Sequence, residues 1–116
     1  MLKFASAIMS GLFVDTLVAP VAGATETITG QLIDIGNYAA GHSLWEYTGV
    51  HARACALEGF DVGLLTGDGK VYYVKGDLGA NSNAKLLKYM LVQKVTITGD
   101  VSEKDGLMII EGTDIK

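Results

Sequence analysis

The sequence predicts a mainly β domain: a five-stranded Greek-key barrel with a helical insert after the first strand and a helix between the third and fourth. Three observations lead there. Short runs rich in Val, Ile, Thr and Tyr recur between turns containing Gly and Asp, the mark of strands joined by tight connections. Their order along the chain is strand, helical insert, hairpin, helix, hairpin. The segments Ile28-Thr29-Gly30-Gln31-Leu32 and Ile97-Thr98-Gly99-Asp100-Val101 share the pattern Ile-Thr-Gly-x-apolar, in the first and fourth strands. In such a barrel those two strands pair and coil strongly, and a mid-strand glycine permits the bend. This element order is that of an OB-fold.

Each element has its own signal. Residues 25–35 are rich in Thr and Ile and lack Pro, so they read as the first strand. Residues 36–41 are small and turn-like. Residues 43–57 have helical spacing: Leu44, Thr48, His51 and Cys55 fall on one stripe, with Tyr47, Val50, Ala54 and Leu57 beside it. Ser43 and Glu46 are spaced as a capping box, Gly49 weakens the middle, and Gly59 stops the helix. Residues 61–66 and 71–75 form a hairpin around Gly67-Asp68-Gly69. Residues 81–91 read as a short helix, capped by Asn or Ser, with Leu86, Leu87, Met90 and Leu91 as its apolar face. Residues 92–102 alternate, with Val95, Ile97, Gly99 and Val101 on one face and Thr96, Thr98 and Asp100 on the other. Residues 103–106 turn the chain into the last strand, 107–111.

The first 24 residues are of a different kind. A short start carrying Lys3 leads into an apolar and small-residue run from Phe4 to Val14, bounded by Asp15. Pro20 then breaks any helix, and Ala22-Gly23-Ala24 places small residues before a cut. This is the three-part pattern of a signal peptide, shorter than a membrane span. The expected organisation is a signal peptide over 1–24 and one domain over 25–116, periplasmic or secreted, meeting a membrane only during export.

The net charge is −4, and removing residues 1–24 takes one Lys and one Asp with it and leaves that value unchanged. Arg53 is the only arginine and the lysines are scattered. Phosphate backbones need clustered basic side chains, so nucleic acid is not an expected partner. A single cysteine, Cys55, cannot form an internal disulfide.

Chemistry-bearing residues concentrate in the insert. Tyr38, Trp45, Tyr47 and Phe60 could wall a ligand groove or close the barrel mouth. Tyr72 and Tyr73 alternate on the third strand, one inward and one outward, and the outward ring could stack a ligand on the usual OB face. The ligand-binding candidates are Tyr38, Trp45, Tyr47 and Tyr72. His51 and Cys55 are four apart and share a helix face, a donor pair suited to Zn, Cu or haem, with His42 as a third ligand. The same Cys and His as a nucleophilic pair would need a low-pKa thiolate and an orienting partner. Gly67-Asp68-Gly69-Lys70 is not a phosphate loop, since position 64 is Leu and Val71 follows the lysine. No assembled catalytic motif occurs in the sequence, which points away from an enzyme.

The runs Cys55-Ala56 to Gly59, Val62-Gly63-Leu64-Leu65-Thr66, Asp68-Gly69-Lys70-Val71-Tyr72 and Val95-Thr96-Ile97-Thr98-Gly99 resemble a group of small exported bacterial proteins with an OB-like barrel and no assigned activity. The resemblance spans most of residues 27–115. Members often carry a Cys before the Tyr of the first loop and a C-x-x-x-C pair on the following helix, which implies metal or redox chemistry. Here Asn37 precedes Tyr38 and His51 replaces the first Cys of the pair, so the resemblance directs attention to His51 and Cys55. The resulting expectation is an exported, non-enzymatic OB-like domain that binds a small ligand or protein partner through residues 37–60. The alternative is a periplasmic metal- or haem-binding protein using His51 and Cys55.

Overall fold

The computed structural model describes residues 24–116, so the expected signal segment lies outside the described residues except for Ala24. Five strands close a barrel in the order β1-β2-β3-β5-β4: β1 Ala24–Asp34, β2 Val62–Leu65, β3 Val71–Lys75, β4 Val95–Lys104 and β5 Leu107–Ile115. All pairings are antiparallel except β3 with β5, which run parallel. This is the expected OB-like barrel, with the insert after β1 and helical turns between β3 and β4.

The first strand serves two neighbours. Residues 24–30 pair with β4, setting Ile28 opposite Ile97, and residues 31–34 pair with β2. The handover falls at Gly30. A Cβ there would run into the carbonyl oxygen of Leu65, so only glycine lets β1 and β2 approach this closely. Gly99 has the same role opposite Glu111, beside a register shift between β4 and β5.

Alternation along the strands fills the interior. Leu32, Val62, Leu64, Tyr72, Val74, Val95, Ile97, Val101 and Ile110 are buried in one cluster, extended by Leu78, Leu86 and Met90 from the β3–β4 connection. Burying a side chain of this size contributes about 1.5–3 kcal/mol. On the outside, Thr27 and Thr98, and Thr29 and Thr96, pair through their hydroxyls across β1 and β4.

The insert comprises α1 Ile35–Ala39, α2 Leu44–Tyr47 and α3 Gly49–Leu57. The single helix expected over 43–57 is broken at Thr48, whose backbone is extended, and at Gly49, whose φ is +61°. Glu46 caps α2, its Oε1 accepting from the Ser43 N–H at 3.3 Å and the Ser43 hydroxyl at 3.2 Å. At the other end of α3, Gly59 (φ +91°) donates to Ala56 O and Phe60 donates to Cys55 O, a Schellman stop.

Two further expectations are corrected. The face of α3 that enters the core is Ala52 and Ala56, while Val50, Ala54 and Leu57 point outward. Small side chains let the helix lie close to the turn over Leu87–Leu91, so the large apolar stripe is left outside. The helix expected over 81–91 is instead a series of short turns, Gly76–Gly79, Ala80–Asn83 and Leu87–Leu91. Asn81, Ser82 and Asn83 all have positive φ and interrupt it. Leu86 and Met90 still face inward, whereas Leu91 is exposed. Among the described residues, no helix is long and apolar enough to cross a membrane.

Candidate functional site

α1 folds back over the sheet beside β2 and β3, while α3 packs into the core through Ala52 and Ala56. Ile35 lies over Gly63, where a Cβ would meet Ile35 Cγ1 at 2.7 Å, so the glycine makes room for α1 on the sheet. Asp34 ends β1 and caps α1: its Oδ2 accepts from the Asn37 N–H at 3.0 Å. Asn37 in turn donates through Nδ2 to Glu46 O at 3.0 Å and approaches Cys55 Sγ at 4.0 Å, tying α1 to α2 and α3.

Two open cavities result. One, of about 700 Å3, is lined by Asp34, Asn37, His51, Cys55, Phe60 and Tyr73, among others. The second, of about 400 Å3, runs between α1, β3 and the β4–β5 hairpin, where Tyr38, Val71, Leu107 and Met108 meet. Both share Ile35, Ala39 and Tyr73, so they form two ends of one trough around the Tyr73 ring. The trough occupies the face and the two loops, after β1 and after β4, through which OB-folds commonly bind ligands. A further cavity of about 550 Å3 lies elsewhere, between Arg53, Lys85, Lys88, Tyr89 and Ile115, and has only solvent-accessible charges on its walls.

The expected site residues divide. Tyr38 walls the smaller end of the trough and packs edge-on against Tyr47, ring centroids 5.0 Å apart. Trp45 is 68% exposed and sits 6.3 Å from the His51 ring, outside the trough. Tyr72 is corrected: it points into the barrel and is buried, so stacking on the outer face falls to Tyr73. The alternation showed that one ring would face out, but not which. Asp34 was not among the expected candidates, and Tyr73 entered only as the alternative to Tyr72. Asp34 carries a signal in hindsight, as a carboxylate in a strand of Leu and Ile just before a turn.

The expectation of Cu, Zn or haem is overturned. Among the described residues, no group of three or more His, Cys, Asp or Glu side chains is placed to hold a metal ion. His42 is turned to Glu46 instead, Nδ1 to Oε2 3.5 Å. Burial, then the negative charges of Asp34 and Glu58, pushes the Cys55 thiol above its ordinary value of 9.0. A thiol that keeps its proton is a poor ligand and a poor nucleophile. Glu46, by contrast, is held below the usual carboxylate value, chiefly by the Ser43 N–H and also by the Ser43 hydroxyl, His42 and His51.

Comparison with protein-family models, with curated proteins and with solved structures gives no match for this chain.

Proposed function

We propose that this chain is an exported, non-enzymatic OB-like domain that binds a small ligand through its insert, residues 37–60. The observation that carries the reading is the trough that the insert builds against β3, with Tyr73 between its two ends. Its size is in the range of small-molecule sites, and its walls mix apolar surface with a few polar groups. The raised pKa of Cys55 supports a binding role over a nucleophilic one.

Replacing Tyr73 tests this directly, because its ring is only half-buried and lies outside the barrel core. A Tyr73→Ala variant should keep the fold and bind an aromatic probe such as phenethyl alcohol about tenfold more weakly. Unchanged binding, or no binding by the parent, contradicts the reading. Export rests on the pattern of residues 1–24, and a mature protein whose mass begins at Thr25 supports it. A mass beginning at Met1 contradicts it.

A second reading, a protein contact, rests on a separate observation. Leu44, Trp45, Val50, Leu57 and Phe60 are each more than half exposed, and all belong to the insert or its end. So many exposed apolar side chains within one segment support a contact with another protein, where they join into one patch.

A further inference from the structure

We infer that the larger end of the trough takes an organic ammonium group, with Asp34 as its counter-ion. The inference rests on the small-ligand reading above and names the class of ligand.

Asp34 is only 5% exposed and yet lines this cavity. Burying a carboxylate is costly unless it is paired and hydrogen-bonded. Its hydrogen bond among the described residues is the one from the Asn37 N–H to Oδ2, and no Lys, Arg or His among them forms an ion pair with it. One capping bond leaves acceptor capacity for a ligand cation, since a carboxylate accepts at both oxygens.

The rest of the lining agrees. It contains two carboxylates, Asp34 and Asp61, and one imidazole, His51, with no Lys or Arg. Asp61 already receives the Lys75 ammonium at 2.7 Å, whereas Asp34 has no ion pair among the described residues. Phe60 and Tyr73 add aromatic surface to the lining, which suits a ligand with an apolar body, and Tyr73 already has the Lys75 ammonium 6.0 Å from its ring centroid. A metal ion is not the fit, because the donors do not converge on one point. A larger cation with its own N–H donors does not need them to.

The test compares three probes of one shape by amide-shift titration of the purified protein: phenethylammonium, phenethyl alcohol and phenylacetate. The cation should bind about tenfold more tightly than the alcohol, and the anion most weakly. Asp34→Asn should abolish the preference for the cation, so that cation and alcohol bind alike. Asn caps a helix as well as Asp does, so this variant removes the charge and keeps the turn. Equal binding of cation and alcohol, or a preference that survives in Asp34→Asn, overturns the inference and leaves the site itself standing. Absence of shifts at the trough with every probe overturns both.

Discussion

The side-chain amide of Asn83 donates to the carbonyl of Ala56 at 3.0 Å, across 27 residues of chain. The same Nδ2 donates to Phe60 O at 3.0 Å. Asn83 is buried, with φ at +62°, a conformation that Asn tolerates better than most residues. One side chain thus joins the end of the insert to the β3–β4 connection, adding a bond at Ala56 O, which also accepts from the Gly59 N–H, and one at Phe60 O just past the helix.

Removing it should be expensive. Asn83→Ala should cost about 2–3 kcal/mol, combining the loss of two side-chain hydrogen bonds with the left-handed backbone. Asn83→Gly should lose the hydrogen bonds without the backbone penalty and fall between the two. Urea unfolding of the three proteins checks the order, and an alanine variant as stable as the parent would show that the bonds do not hold.

Gly30 sets a second test. Since a Cβ there meets the Leu65 carbonyl, Gly30→Ala should destabilise the barrel by about 3 kcal/mol or more. Gly67→Ala, at a hairpin position with open space around it, should change stability by less than about 0.5 kcal/mol. Similar thermal midpoints for the two variants would contradict the handover of β1 from β4 to β2 at Gly30.

The orientation of α3 is testable in the same way. Val50→Ser and Leu57→Ser should each shift stability by less than about 0.5 kcal/mol, because both side chains face solvent. Ala56→Leu should cost about 1–3 kcal/mol by overpacking the core-facing side. The opposite ranking would restore the large apolar stripe to the core.

These contrasts show what the sequence carried and where it failed. Strand pairing was legible because Ile-Thr-Gly recurs in β1 and β4, and the structure sets Ile28 against Ile97. The alternation of Val95, Ile97, Gly99 and Val101 predicted their burial correctly. The insert was less legible. The packing of α3 depends on two alanines, which carry almost no hydrophobic signal, while its larger side chains Val50 and Leu57 face out. Asp34 was hidden because its surroundings come from α1, α3 and β3, which only the fold brings together.

Cys55 gives a pH prediction. Its folded pKa is raised, so the native protein holds the thiol proton more tightly than the unfolded chain does. The stability this contributes is whole below the ordinary thiol value of 9.0 and falls as pH rises through the folded value. Iodoacetamide should therefore alkylate native Cys55 more slowly than free cysteine at neutral pH, with an inflection above 9.0. An inflection below that of a free thiol would indicate an activated sulfur and contradict the non-nucleophilic role.

The central claim is that ligands bind in the trough between the insert and β3. Amide-shift mapping with phenethyl alcohol on the parent protein tests it most directly. The account predicts changes at Ile35 to Ala39, His51, Cys55, Phe60 and Tyr73, the residues that line the trough. Changes confined to Lys85, Lys88 and Tyr89 at the other cavity, or to the threonines of β1 and β4, would contradict it.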